Sequence, residues 1–83
     1  MMAGEQTRRS LSARELQVVR LLVDGLGNQQ IAERLGVSRR TVHAHLSNAM
    51  AKTRTKSRTQ LAVYALRARL VPLTPLNADD DDD

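Results

Sequence analysis

Residues 28–47 read NQQIAERLGVSRRTVHAHLS, and the spacing of apolar, small and glycine residues in this stretch decides the fold. Ile31 and Leu35 lie one helical turn apart, and Ala32 leaves room for a second helix to approach the backbone closely. Gly36 follows where a left-handed residue would stop the helix, a conformation that penalises side chains. Val37 leads into Ser38, whose hydroxyl can cap the next helix by accepting from a first-turn N–H, and Val42 is that helix's first inward residue. Helix, tight glycine turn and second helix form a helix-turn-helix, whose second helix can lie in the DNA major groove. An ordinary helical hairpin is the plainer account of the same pattern, so the rest of the chain must discriminate.

Charge favours a polyanion. The 83 residues carry +4, but five of the nine acidic residues are the aspartates Asp79 to Asp83. Positions 1–78 hold all 13 basic side chains against only Glu5, Glu15, Asp24 and Glu33. No acidic residue lies between Arg34 and Ala78, an interval containing Arg34, Arg39, Arg40, Lys52, Arg54, Lys56, Arg58, Arg67 and Arg69. A face solvated for solubility normally mixes signs, whereas a one-signed surface attracts nucleic acid.

Composition excludes other classes. The length suits one domain with a modest core that depends on good packing or a partner subunit. There is no cysteine, hence no disulfide, thiol nucleophile or cysteine-ligated zinc. No apolar run approaches the roughly 20 residues of a membrane span, and no signal peptide follows Met1, so a soluble intracellular protein is expected. His43 and His45, the two histidines, point about 200° apart on a helix and cannot share a metal. His45 borders the apolar stripe and His43 faces outward. No nucleophile, base and orienting group are brought together, so neither enzyme activity nor a cofactor is expected. The single aromatic, Tyr64, suits core or interface better than base stacking, which favours duplex over single-stranded DNA.

Four helices are expected, making the fold all-α. The first is capped by Ser12 with Glu15 closing a capping box; it turns Leu16, Val19, Leu22 and Val23 inward and stops at Gly25. The second follows Asn28 as cap and buries Ile31, Ala32 and Leu35. The third runs from Arg39 to about Thr53 with Val42, Leu46, Ala49 and Thr53 on one stripe. Its opposite face carries Arg40, Ala44, Ser47, Asn48, Ala51 and Arg54, with His43 at the edge. Short side chains there let the backbone sit close to a groove while arginines reach further. The fourth is capped by Ser57 with Gln60 at the box position and runs to about Leu70, before Pro72 and Pro75. It has two apolar stripes, Leu61, Tyr64, Ala65, Ala68 and Ala62, Val63, Leu66, Leu70, where one small core needs one. The spare stripe suggests a dimer contact. Leu61, Tyr64, Ala65 and Ala68 are the candidate interface, although the pattern alone does not fix which stripe faces inward.

These residues resemble the LuxR-type (GerE, FixJ or NarL type) DNA-binding domain of bacterial transcription regulators. Its opening is similar to Leu11, Ser12, Ala13, Arg14 and Glu15, and its N-x-x-I-A pattern to Asn28, Ile31 and Ala32 after Gly25 and Leu26. Ser38, Thr41, Val42 and His45 match its S-x-x-T-V-x-x-H signature, and Arg58, Thr59 and Gln60 the start of its final helix. The resemblance covers Leu11 to about Val71 without a gap. It implies a four-helix, winged-helix-like domain without a wing, a response-regulator effector that binds double-stranded DNA as a homodimer through the fourth helix. Contact with RNA polymerase belongs to the same expectation. By position it implies base contacts at His43, Ala44, Ser47 and nearby Asn48. It implies phosphate contacts at Arg39, Arg40, Thr41, Lys52 and Arg58; charge alone points to the basic members of this set, and Arg54 joins them from its place on the basic face.

The chain departs from the family's pattern at three positions. A lysine is usual where His43 stands, which exchanges a permanent cation for a ring that is mostly neutral at pH 7. Isoleucine and leucine are usual at Ala49 and Thr53, which trims the apolar area under the third helix by about 1–3 kcal/mol per side chain unless neighbours fill the space. A marginally stable free domain is the expectation. Three regions are expected: a flexible arm or linker remnant over 1–10, the DNA-binding domain over 11–71, and a Pro-containing, disordered acidic tail over 72–83. The tail reads first as a solubilising segment and, more sharply, as a DNA mimic folded onto the basic face. The alternative function is a helix-turn-helix that docks on RNA polymerase or a sensor protein without touching DNA. The fourth region of a sigma factor shares the four-helix plan, but the chain has no second promoter-reading segment.

Overall fold

The computed structural model describes residues 11–71; the arm over 1–10 and the tail over 72–83 lie outside the described residues. Four helices follow in order: α1 (Ala13–Val23), α2 (Asn28–Leu35), α3 (Arg39–Thr53) and α4 (Arg58–Arg67). No strand occurs among the described residues, which bears out the all-α fold.

Local chemistry sets the helix starts. Ser12 and Glu15 form the expected capping box: the Glu15 N–H donates to Ser12 Oγ (3.0 Å) and the Ser12 N–H to Glu15 Oε1 (2.9 Å). Ser38 and Ser57 cap α3 and α4 by accepting from the Thr41 and Gln60 N–H groups. Two expectations are corrected. The cap of α2 is Gly27, not Asn28, and the Gly27 N–H donates to Gln30 Oε1 at 2.8 Å. Gln60 does not close a box on Ser57; its Oε1 accepts from the Lys56 N–H, one residue earlier.

All four helices stop in the same way. Two or three residues past each helix end, an amide reaches back to a carbonyl five residues earlier: Leu26 to Leu21, Val37 to Ala32, Thr55 to Met50 and Leu70 to Ala65. This turn needs one residue in the left-handed region. Gly25 (φ 94°) and Gly36 (φ 72°) supply it twice, as the sequence indicates, but Arg54 (φ 60°) and Arg69 (φ 57°) supply it after α3 and α4. The turn at Arg69 ends α4 at Arg67, three residues before the expected Leu70, and returns Leu70 to the core.

The core is almost wholly aliphatic. Val18, Val19, Ile31, Val42, Ala49, Leu61 and Ala65 are completely buried, and Leu11 and Val71 pin both ends of the described chain against them. Because α1 packs against both α3 and α4, it buries a wider face than one stripe: Val18, Val19, Leu21 and Leu22 are inside, while Leu16 and Val23 are only partly covered. In α4 the inward stripe is the one assigned to a dimer. Leu61 and Ala65 are 0% exposed and belong to the core of this subunit, with Tyr64 and Ala68 half-buried beside them. Ala62 and Leu66 are also half-buried against the core, and Val63 between them is 42% exposed.

Glu15 is the one buried carboxylate among the described residues, 5% exposed. Its Oε1 also accepts from Lys52 Nζ at 2.8 Å, so a single carboxylate caps α1 and grips the last turn of α3. Burial works to raise its pKa, but the Lys52 hydrogen bond, the Ser12 N–H and the charges of Lys52 and His45 outweigh it, and the pKa lies below the ordinary value of 4.5. Ionised Glu15 therefore adds stability that is full above the unfolded-chain pKa and is lost as pH falls through the folded one. Thermal unfolding from pH 7 downwards should show stability falling more steeply below about pH 4.5 in the wild type than in Glu15→Gln. At pH 7 the variant should lose about 1–2 kcal/mol, the low end for a buried charged hydrogen bond because the Lys52 ammonium keeps part of its hydration. Parallel curves for the two proteins would refute this role.

Candidate nucleic-acid interface

The interface is built on α3, held from one side only. Val42, Leu46, Ala49 and Thr53 are all buried, the stripe expected from the sequence. The small side chains at Ala49 and Thr53 leave no polar atom stranded. Thr53 Oγ1 donates to the Ala49 carbonyl (2.9 Å) and pairs with Thr55 Oγ1 (2.9 Å). On the other side His43, Ala44, Asn48 and Ala51 are exposed and Ser47 is half-buried, so the four residues expected at bases share the uncovered face.

The turn into α3 presets its first residues. Gly36 breaks α2 and Ser38 caps α3, and the Ser38 hydroxyl donates to Thr41 Oγ1 at 3.0 Å. With that acceptor position filled, the Thr41 proton remains available to an outside acceptor. Arg39 and Arg40 occupy the first turn, where the helix dipole is positive and disfavours cations by about 0.3–1 kcal/mol each. Arg54 stands at the opposite end, exposed and left-handed. Among the described residues no carboxylate pairs with Arg39, Arg40 or Arg54.

Two of the cations expected at phosphates also have partners within the domain. Lys52 is bound to Glu15, and Arg58 donates through Nη1 to Asn28 Oδ1 and through Nη2 to the Leu26 carbonyl (3.2 Å). Neither partner was legible, because the contacts span 30 to 37 residues. One signal was present for Lys52: it follows Ala49 by three positions and so flanks the buried stripe on the same edge as His45.

Among the described residues no cluster of histidines and carboxylates could hold a metal, and no helix is long and apolar enough to cross a membrane. Residues 9–65 match the family described as bacterial regulatory proteins, luxR family. The oxygen regulatory protein NreC of Staphylococcus carnosus is 46% identical over 63 residues, covering 76% of this chain and 29% of that protein. NreC of Staphylococcus aureus strain JH9 is 46% identical over 61 residues, 74% of this chain and 28% of the relative. The chain thus spans less than a third of the length of these relatives. No solved structure matches it. A family match over residues 9–65, in register with a helix-turn-helix whose second helix keeps one face bare, shows that the chain belongs to the LuxR family of bacterial regulatory proteins and carries its DNA-binding element.

Proposed function

We propose that the chain binds duplex DNA sequence-specifically with α3 in the major groove, acting as a homodimer on two half-sites to regulate transcription. The observation that carries this reading is the pair of local conflicts at the ends of α3. Arginines at its positive end and an arginine in the left-handed region at its other end are unfavourable in the free protein, and a phosphate backbone relieves the first and gives a use to the second. Arg39, Arg40, Thr41 and Arg54 hold phosphates; His43, Ala44, Ser47 and Asn48 face base edges. The subunit contact is the other stripe of α4, where Val63 is exposed and Ala62 and Leu66 are half-buried at the edge of the core.

Phosphate contacts set the salt dependence of binding, because each neutralised phosphate releases condensed counterions. Fluorescence-anisotropy titrations with random duplex between about 50 and 200 mM salt should show Arg39→Ala or Arg40→Ala lowering the log–log slope by about one and weakening all sequences alike. Lys52→Met should leave the slope unchanged while lowering thermal stability, since its ammonium serves Glu15. His43→Ala or Ser47→Ala should alter preference at single base pairs by about 1–3 kcal/mol. Equal slopes for the Arg40 and Lys52 variants would overturn the assignment. Absence of any binding at low salt would favour the protein-docking reading.

Arg54 allows stability and binding to be separated. Glycine there removes the left-handed penalty of about 1–2 kcal/mol, partly offset by the larger entropy of the unfolded chain. Arg54→Gly is expected to raise the melting temperature by a few degrees, as about 0.5 kcal/mol does in a domain this small, while weakening duplex binding. A variant that is both more stable and an equal binder would remove Arg54 from the interface.

A further inference from the structure

We infer that Arg58 is a positioning residue that fixes the first helix of the helix-turn-helix through a fork onto Asn28 and Leu26, and is not a phosphate ligand. The inference deepens the DNA-binding reading above and rests on it for its effect on affinity.

α2 is the least secured element of the fold. It has eight residues and buries only Ile31 and Ala32 fully. Its cap is a glycine without a side chain to satisfy the first-turn amides, and the connection from α1 contains Gly25 and Gly27. The body of α2 rests chiefly on α3, it touches α1 lightly, and α4 is almost out of contact with it. Arg58 bridges that gap. From the first residue of α4 its guanidinium reaches the side-chain oxygen of Asn28, the first residue of α2, and the carbonyl of Leu26 in the connection.

The geometry needs arginine specifically. Two acceptors on neighbouring residues are met by two nitrogens of one rigid planar fork, whereas a lysine ammonium offers a point charge at the end of a flexible stem. Both acceptors are neutral, so a variant at either end breaks the fork without changing a carboxylate. Because α2 packs chiefly on α3, loosening the start of α2 loosens the seat of α3 in the groove while leaving Arg39, Arg40 and Arg54 in place.

The full chain with Asn28→Ala, Arg58→Lys and the double substitution tests this. Without DNA, hydrogen exchange at the Leu26, Gly27 and Ile31 amides should quicken about five- to tenfold in each single variant, in keeping with one charge-assisted hydrogen bond. With random duplex, each should bind about five- to tenfold more weakly at an unchanged salt slope, and the double variant should be no worse than either single one, as two halves of one contact require. If Arg58→Lys exchanges and binds like wild type, charge alone matters and Arg58 is a phosphate ligand. If Asn28→Ala changes neither readout, or exchange quickens without loss of affinity, the positioning role is overturned. Should the wild type ignore duplexes altogether, the DNA-binding reading fails, while the exchange rates still decide whether Arg58 braces α2.

Discussion

A helix that keeps one face bare for a partner can be supported by its own protein along the other face only, and this constraint governs how α3 is held. Fifteen residues of α3 rest on Val42, Leu46, Ala49 and Thr53, of which two are small. That stripe packs against α1, α2 and α4. Polar contacts at the ends of α3 add to this packing. Ser38 and Gly36 set the entry, and Lys52 ties the exit to Glu15 at the start of α1. Glu15 can do this because the capping box has already fixed its carboxylate over the Ser12 N–H, so the lysine meets an acceptor whose orientation entropy is largely lost.

The same constraint explains where the sequence departs from good local chemistry. Of the four helix stops, those flanking the connections between α1, α2 and α3 use glycine and obey the rule. The stops after α3 and α4 use arginine, at a cost of about 1–2 kcal/mol each. A folded domain of this size has only several kcal/mol in hand, so such residues persist where a side chain is worth more than the strain. At Arg54 that side chain borders the bare face of α3.

Much of this was legible in the sequence because periodicity and capping are local. The 3.6-residue spacing in residues 31–53, the glycine at 36 and the serines at 12, 38 and 57 gave α1 to α3 their bounds nearly to the residue. The errors have a common cause. Which stripe of α4 faces inward depends on where α1 and α3 lie, so Leu61 and Ala65 could be read as an interface until their complete burial placed them in the core. The end of α4 was misplaced because no glycine announces a left-handed turn at Arg69. In the candidate site the bare face of α3 was readable, since it is the complement of a periodic stripe. The partners of Lys52 and Arg58 were not, because nothing in a linear pattern relates residues 30 or more positions apart.

Those two side chains change what the charge of the domain means. Counting cations between Arg34 and Ala78 treats nine side chains as equivalent ligands for a polyanion. Lys52 donates to a buried carboxylate and Arg58 to an amide oxygen and a carbonyl, so part of their hydrogen-bonding capacity is directed inward. On the proposed DNA-binding reading, long-range attraction depends on the summed charge, whereas the short contacts that fix register depend on donors directed outward. On that reading Arg39, Arg40 and Arg54, at the two ends of the uncovered face of α3, are the residues placed to align the duplex.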